Sequence, residues 1–183
     1  DECGVCGGDG SDDLGCGCFE DGPSGCDNTC GSTLEDDACG VCGGNGTSCL
    51  ASLSLGSFDS SGSLEVLYDF GGPVAGFQFD VTGLALTGGS GGAAGDVGMT
   101  VSAGGATVVG FSFDNSEIAA GSGVLTVLSF SDVTAGTTSL SLGNFGAVTD
   151  AQGNAYTATA SGDINHGDPD CAGTYYGDAE DLA

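Results

Sequence analysis

The chain contains no lysine and no arginine, and this absence limits the partners that it can bind. Its 183 residues include 26 acidic side chains and one histidine, which gives a formal net charge of −26. Nucleic acid and anionic membrane surfaces are excluded as partners, because proteins bind both through lysine and arginine. Carboxylates that lie within roughly 8 Å of each other repel even at physiological ionic strength. We therefore expect a high-salt or calcium-rich setting outside the cell.

Tryptophan is also absent, and proline occurs only three times. Without tryptophan, a carbohydrate-binding platform is a weaker hypothesis than it is for most β-rich binding modules. No apolar run approaches the ~20 residues that a membrane-spanning helix needs. No signal peptide is visible, and the chain begins with Asp1 rather than methionine, which we interpret as a processed or excised product.

Cysteine is missing from the middle of the chain, and this gap divides the sequence into three parts. Nine of the ten cysteines and eleven of the acids lie in residues 1–49, where hydrophobic residues are scarce. Such a segment buries too little apolar area to fold without covalent help. We predict a disulfide-stapled arm over 1–49, a cysteine-free β-sandwich over 50–160 and an acidic connector tail over 161–183.

The arm repeats itself. The sequence Asp1–Ser11 matches Asp37–Thr47 at an offset of 36 residues, with the shared pattern Cys-Gly-Val-Cys-Gly-Gly. The end of the chain, residues 177–183, is similar to the run 34–38 that precedes Cys39. A repeat in a short chain is typical of a modular array.

Alternating side chains predict strands in the middle part. Leu64, Val66 and Tyr68 share one face of a strand, and runs such as 77–81 and 109–113 repeat the pattern with glycine-rich turns between them. The predicted strands are 52–58, 63–70, 74–82, 97–103, 107–113, 123–130, 138–143 and 154–160. About eight short strands without helical periodicity predict an all-β fold, a jelly roll or β-sandwich.

The middle part resembles the cohesin-like β-sandwich modules of bacterial extracellular proteins. The resemblance covers roughly residues 50–160 and lies in the segments 64–68, 74–81 and 123–130. The cysteine motifs resemble the repeats of large bacterial surface proteins and, more distantly, thrombospondin type 3 calcium repeats. The resemblance implies an extracellular module that recognises partners and builds surface structures. Because the chain lacks lysine and arginine, no partner-binding residue of cohesins is carried over.

The cysteines favour disulfides over the alternatives. Two CxxC units have the spacing of a four-cysteine zinc site, but cysteine-dense secreted segments are usually stapled. A redox-active pair is weakly supported, since no cation is present to lower a thiol pKa. The predicted disulfide cysteines are Cys3, Cys6, Cys16, Cys18, Cys26, Cys30, Cys39, Cys42, Cys49 and Cys171. Nine in the arm is odd, so Cys171 is expected to bond either within the chain or to the arm of another copy.

Two acidic clusters predict calcium. The loop 163–170 places oxygen ligands at relative positions 1, 3, 6 and 8, although it lacks the glutamate of an EF-hand. The predicted ligands are Asp163, Asn165, Asp168, Asp170, Asp9, Asp12 and Asp13. The alternative is a set of solvated acidic loops. Since no basic residue neutralises them, we favour calcium.

Three other features suggest smaller roles. His166 is expected to be exposed, with a pKa raised by its acidic neighbours, rather than a metal ligand. Tyr175 and Tyr176 are candidates for docking on a neighbouring module, and Asn45 begins an N-glycosylation sequon.

Catalysis is poorly supported, because nothing in the sequence places a carboxylate pair such as Glu65 and Glu117 together. The sequence predicts an extracellular or cell-surface structural module, not an enzyme, whose copies join head to tail through calcium and disulfides into a filament. The alternative is a cohesin-type adhesin that recognises a protein or glycan.

Overall fold

A computed structural model of the chain describes residues 1–179. It divides into two compact units, Asp1–Ser48 and Cys49–Ala183, the second of which is described as far as residue 179. The first unit corresponds to the predicted arm, and the second contains both the predicted sandwich and the predicted tail.

The second unit is built almost entirely of strands. In chain order they are β1 (Leu50–Asp59), β2 (Ser63–Phe70), β3 (Gly76–Thr82), β4 (Leu84–Ser90), β5 (Thr100–Gly104), β6 (Thr107–Phe111), β7 (Gly121–Val133), β8 (Thr137–Ser141), β9 (Ala147–Thr149), β10 (Thr157–Ser161) and β11 (Asp163–Asn165). One short helix, α1 (Gly92–Asp96), lies between β4 and β5.

The strands form two sheets. The five-stranded sheet has the order β10-β1-β2-β7-β4, and the six-stranded sheet has the order β11-β8-β3-β6-β5, with β9 also paired to β3. Neighbours are antiparallel except β1 and β10, which are parallel with Leu50 opposite Thr157. The prediction of an all-β sandwich of jelly-roll type is confirmed.

The core fills the space between the two sheets, because alternate side chains of each strand point inward. Leu64 and Val66 of β2 are fully buried, as are Phe79 and Val81 of β3. The core comprises Ala51, Leu53, Leu64, Val66, Phe70, Val74, Phe77, Phe79, Val81, Leu84, Ala94, Met99, Val108, Ile118, Leu125, Leu128, Phe130, Val133, Leu140 and Val148.

The structure contains four elements that the sequence did not predict: β4, β9, β11 and the short helix α1. Gly88 and Gly89, taken as a turn, belong to β4; a side chain at Gly89 would collide with Val101 and Leu128, so glycine is required by close packing there. The segment 163–165, assigned to the connector tail, forms β11 and pairs with β8. The sandwich therefore continues beyond residue 160.

The first unit has no helix or strand within Asp1–Ser48, all of which is described, and none of these residues is fully buried. Three disulfides join Cys3 to Cys18, Cys16 to Cys30 and Cys26 to Cys42. Each loop overlaps the next along the sequence, so the staples form a continuous chain. The predicted disulfide-rich, irregular arm is confirmed.

Candidate functional site

A ten-residue turn around Asp37 is the basic element of the site. Oδ1 of Asp37 accepts the backbone N–H groups of Cys39 at 2.8 Å and Val41 at 2.9 Å, and Oδ2 accepts that of Gly46 at 2.6 Å. The Asp37 amide in turn donates to the Val41 carbonyl. One carboxylate thus closes the whole segment 37–46, which we call an aspartate turn.

The same bonds occur around Asp1 and Asp170. Asp1 accepts the amides of residues 3, 5 and 10 at 3.1, 2.9 and 3.2 Å. Asp170 accepts those of residues 172, 174 and 179 at 3.0, 2.8 and 3.2 Å. The amides thus lie two, four and nine residues after the aspartate in all three turns. The chain therefore carries aspartate turns at 1–10, 37–46 and 170–179, one more than the sequence repeat indicated.

Glycine is required at the eighth position of the turn. A Cβ at Gly8, Gly44 or Gly177 would overlap the Oδ2 atom of the turn's own aspartate. The sequence signal for the third turn was therefore Asp-x-x-Gly-x-x-x-Gly at 170–177. It was missed because the repeat had been recognised by its cysteines, and those positions hold Ala172 and Tyr175 in the third turn.

Backbone amides hold the carboxylates of the second and third turns in the charged form. The N–H of Val41, followed by that of Gly46, lowers the pKa of Asp37. The N–H of Thr174 has the largest effect in lowering the pKa of Asp170. Hydrogen bonds to a carboxylate favour its ionised state, so these groups serve as internal anions around which the backbone folds.

Two cysteines remain free, and both lie in aspartate turns. Cys6 and Cys171 are exposed thiols, whereas the other predicted disulfide cysteines, Cys39 and Cys49 included, are disulfide-bonded. Cys6 occupies the sixth position of its turn, and its equivalent in the second turn, Cys42, is bonded to Cys26. Cys171 occupies the second position, where its Sγ lies 3.2 Å from the Ala179 carbonyl oxygen.

The expectation of an exposed His166 with a raised pKa is wrong. The side chain is 8% exposed, and burial lowers its pKa because the charged form loses its hydration. Its Nε2 lies 2.7 Å from Oγ1 of the buried Thr138, and its Nδ1 lies 2.7 Å from the Tyr176 hydroxyl. Phe58 covers the ring at 4.8 Å between centroids. The preceding strand β11, which was not predicted, carries the imidazole into this site.

Tyr176 has a backbone conformation that is unusual for its side chain. Its φ is 59°, whereas the equivalent positions in the first two turns are Gly7 and Gly43, with φ of 75° and 65°. The left-handed region costs a residue with a Cβ about 1–2 kcal/mol. Tyr175 is partly buried against the core. The two predicted docking tyrosines thus contact the sandwich of their own unit.

The predicted calcium ligands of the C-terminal loop have other roles here. Asp163 accepts a hydrogen bond from the Ser139 hydroxyl, Asn165 accepts one from the Gly167 amide at 2.7 Å, and Asp170 closes the third turn. Asp168 is exposed. Among the described residues, these carboxylates do not form a group whose ligand atoms lie within 4.8 Å of one another. Calcium at this loop stays a prediction.

A pocket of about 400 Å³ in the arm is lined by four carboxylate residues, Asp1, Glu2, Asp9 and Asp13. Ser11 lowers the pKa of Asp9 through its hydroxyl and amide, so this group is ionised at neutral pH. Asp12 is outside the pocket lining. Asp13 also approaches the disulfide-bonded Cys3 and Cys18, and Asp36 has the same relation to Cys26 and Cys42.

The remaining candidates lie apart from these features. Glu65 accepts from the Ser57 amide of β1 at 3.4 Å and Glu117 from the Ala151 amide at 3.0 Å, so the two carboxylates are engaged by different parts of the chain. The absence of enzymatic activity stays a prediction. Asn45 is exposed, and its Oδ1 accepts the hydroxyl of Thr47 at 2.6 Å.

Comparisons with known proteins add a likeness in fold. No family model and no curated protein matches the chain. Among solved structures, a non-cellulosomal cohesin from the archaeon Archaeoglobus fulgidus is 17% identical, with a TM-score of 0.45, over 63% of this chain and 89% of its own. The sixth cohesin of scaffoldin B from Acetivibrio cellulolyticus, solved with a mutant Cel5 dockerin, gives the same identity, TM-score and coverage of this chain, and 96% of its own.

In the part of the chain that the structure describes, no helix is long and apolar enough to span a bilayer. The disulfides are typical of an oxidising compartment.

Proposed function

We propose that this chain is an extracellular assembly module whose copies join head to tail, with a disulfide between Cys6 of one copy and Cys171 of the next. The observation that carries the proposal is the position of the two free thiols. Each is exposed and lies in an aspartate turn, one in the N-terminal unit and one near the end of the sandwich unit. A head-to-tail contact of this kind, repeated from copy to copy, extends into a filament unless the rotation between copies closes a ring.

The second turn supports a stapling role for Cys6. Cys42 stands at the matching position and is bonded to Cys26. The backbone of the turn therefore allows a cysteine at this position to form a disulfide. Forming the Cys6–Cys171 bond removes one proton and one electron from each thiol, and the oxidant is a small-molecule disulfide or oxygen in an oxidising compartment.

Calcium would act in the arm. The pocket lined by Asp1, Glu2, Asp9 and Asp13 collects carboxylate oxygens, the ligands that calcium prefers. No lysine or arginine is present to neutralise them. We therefore place the stiffening ion of the joint in the arm rather than at the tail loop.

Non-reducing electrophoresis of the oxidised full chain tests the disulfide. We expect a ladder of multimers for the natural chain. Cys6→Ser and Cys171→Ser each leave one free thiol, so either variant stops at a dimer, and the double variant stays monomeric. A single fast-migrating monomer would contradict the proposal, because it indicates a bond within one chain.

Electron microscopy with and without a calcium chelator tests the ion. We expect oxidised multimers to lose their regular shape in chelator and to regain it with added calcium. Asp9→Asn with Asp13→Asn should reproduce the chelator effect, while Asp132→Asn on β7, outside the pocket, should not. Multimers that keep their regular shape in chelator and in both variants would contradict a role for calcium in the joint.

A second candidate function is a binding module for a protein partner. Phe113 and Phe145 are 86% and 84% exposed on the sandwich unit, and phenylalanine is among the residue types that are enriched in protein interfaces. Capture of one defined partner by the monomeric double-cysteine variant, lost on Phe113→Ser or Phe145→Ser, would favour this function over assembly.

A further inference from the structure

The second aspartate turn contains the only Asn-Gly pair of the chain, Asn45-Gly46. At such a pair the backbone nitrogen of the second residue can attack the side-chain amide of the first, because glycine has no Cβ to hinder the close approach. Asn45 is exposed, so water and hydroxide reach its side chain from solvent. The pair therefore meets the covalent requirements for deamidation.

Deamidation at this pair proceeds through a cyclic imide. The Gly46 nitrogen loses its proton to solvent base and forms a bond to Cγ of Asn45, and the side-chain nitrogen leaves as ammonia. Water then opens the ring at either carbonyl, which gives aspartate or isoaspartate at position 45. No electron transfer is involved, and water is the only co-reactant. Because the first step breaks the Gly46 N–H bond, a contact that holds this proton opposes the reaction.

Asp37 holds the proton of Gly46. The Gly46 amide donates to Oδ2 of Asp37 at 2.6 Å, the shortest of the amide bonds that close the three turns. Loss of the proton would place an amide anion beside a carboxylate and would break a charge-assisted hydrogen bond, the stronger kind. The imide carries no hydrogen on this nitrogen, so it cannot close the turn. The closed turn therefore disfavours both the attack and its product.

The side chain of Asn45 is itself prepared for attack. Its Oδ1 accepts the Thr47 amide at 3.1 Å and the Thr47 hydroxyl at 2.6 Å. Two donors on a carbonyl oxygen stabilise the negative charge that develops there when a nucleophile adds to the carbon. The bond between Asp37 and Gly46 is therefore the contact that restrains the reaction, and the Thr47 donors favour it once that bond opens.

The ninth position of the turn is an amide only in the second turn. The other two turns have Asp9 and Asp178 there, and neither side chain has ammonia to lose. Conversion of Asn45 to aspartate would give the second turn the residue that the first turn already has. Conversion to isoaspartate would add a carbon to the backbone before Gly46 and displace the amide that Asp37 binds. The reaction would thus add one negative charge and, in the isoaspartate product, keep the turn open.

We propose that Asn45 is a deamidation site and that the closed aspartate turn protects it through the hydrogen bond between Asp37 and Gly46. Opening of the turn exposes the pair to an irreversible change of the chain. The inference goes beyond the proposed assembly, because the reaction takes place within one copy and needs neither calcium nor the bond between Cys6 and Cys171.

Mass spectrometry of the peptide that contains Asn45 tests the protection. Cys6→Ser combined with Cys171→Ser removes both free thiols, so this background stays monomeric and its disulfides do not exchange. It is incubated at mildly alkaline pH and digested with pepsin in acid, which halts the reaction. The same chain, reduced and denatured before incubation, gives the unprotected rate. We expect Asn45 to react at least about tenfold more slowly in the folded chain, the factor that one charge-assisted hydrogen bond provides.

Two variants in this background release the Gly46 amide in different ways. Asp37→Ala removes the acceptor, and Gly44→Ala places a Cβ on Oδ2 of Asp37. We expect each to raise the deamidation rate at Asn45 by about tenfold or more, toward the unprotected rate. Gly177→Ala makes the same change in the third turn, so it is the matched control and should leave the rate at Asn45 unchanged.

Hydrogen exchange separates opening of the turn from unfolding of the arm. The Cys26 amide donates to the Leu34 carbonyl at 2.9 Å, a bond that lies outside the turn. In Asp37→Ala this amide should keep its protection, whereas the Gly46 amide should lose it. The faster deamidation is then a property of the turn and not of an unfolded arm.

Three results would overturn the proposal. A folded chain that deamidates as fast as the denatured one would show that the closed turn does not restrain Gly46. An unchanged rate in Asp37→Ala would assign the protection to other contacts. Loss of Cys26 amide protection in both Asp37→Ala and Gly44→Ala would assign it to the fold of the whole arm. All of these measurements use a chain without free thiols, so they do not depend on whether copies join through a disulfide.

Discussion

The two units of this chain achieve a defined structure by different means. Asp1–Ser48 has no fully buried residue and is held by overlapping disulfides and by carboxylates that accept backbone amides. The sandwich unit has twenty buried apolar side chains in one core. Burial scales with the number of apolar residues that a segment has, so a segment poor in them needs covalent bonds instead.

The aspartate turn is the element that both units share. It forms in the arm beside disulfides at 1–10 and 37–46, and it forms at 170–179 without any. Because its bonds run within ten residues, the turn does not depend on the means by which the surrounding unit is stabilised. The two units therefore share the local structure of the turn but differ in the way the turn is attached to its surroundings.

Reduction should give the largest difference between the units. A staple that closes a loop of about 15 residues contributes roughly 3 kcal/mol, and the arm has little else. We expect reductant to abolish the hydrogen-exchange protection of the arm amides that lie outside the two aspartate turns and to leave that of β2, β3 and β7 intact. Loss of protection in those strands as well would show that the sandwich depends on the staples.

Truncation of a core side chain should destabilise the sandwich, the unit that reduction leaves intact. Phe79→Ala removes a fully buried ring and should lower the free energy of unfolding of the sandwich by about 3–5 kcal/mol. Phe113→Ala, at an 86% exposed position, should change it by less than about 0.5 kcal/mol. Denaturant unfolding monitored on the sandwich compares the two; equal effects would contradict the packing described here.

The turn glycines should matter equally in both units. Gly44→Ala and Gly177→Ala each place a Cβ on the Oδ2 atom of the turn's aspartate, whereas Gly104→Ala meets nothing within 4 Å. We expect the first two variants to lose amide protection only in their own turn and the third to lose none. Exchange measured residue by residue checks this. An intact turn in Gly44→Ala would mean that its aspartate can move aside.

Acid should produce the smallest effect on structure, and the two units should respond to it in different pH ranges. Asp37 and Asp170 have pKa values lowered from 3.8 by backbone amides, so their contribution is present above that pH and is lost as the pH falls below it. His166 lies in the sandwich unit, and burial lowers its pKa from 6.5. The stability that the neutral imidazole contributes therefore begins to be lost as the pH falls below about 6.5. We therefore expect one acid transition in the arm and an additional, earlier one at the C-terminal turn. Amide shifts followed from pH 8 to 3 measure both. Coincident transitions would argue against a separate role for the histidine.

Much of the sandwich could be predicted because its strands bury one face. The alternation at Leu64, Val66 and Tyr68 places β2 within the correct bounds. β4 was missed because Gly88 and Gly89, the second of which allows close packing, have the same sequence pattern as a turn. β11 was missed because three residues with one apolar side chain give no periodicity.

The site was harder to predict than the fold. Disulfide pairing depends on three-dimensional proximity, and the sequence did not indicate that Cys6 would be the free cysteine of the arm. Asp170 was assigned to calcium from its spacing to other acids, yet its nearest donors are amides of its own turn. Such bonds leave no trace in composition, since the donors are backbone groups that every residue type except proline provides.

The parallel pairing of β1 with β10 has a consequence for a chain under tension. The polypeptide enters the sandwich at Leu50 and leaves β10 at Ser161, and the register runs in step from Leu50 opposite Thr157 to Ser54 opposite Ser161. A pull that separates these two points slides the strands along each other, so the hydrogen bonds of the pair bear the load together rather than one after another. Forced unfolding is governed by the rate of crossing that barrier, so we expect this strand pair to resist such a pull more strongly than a pair whose hydrogen bonds break one by one.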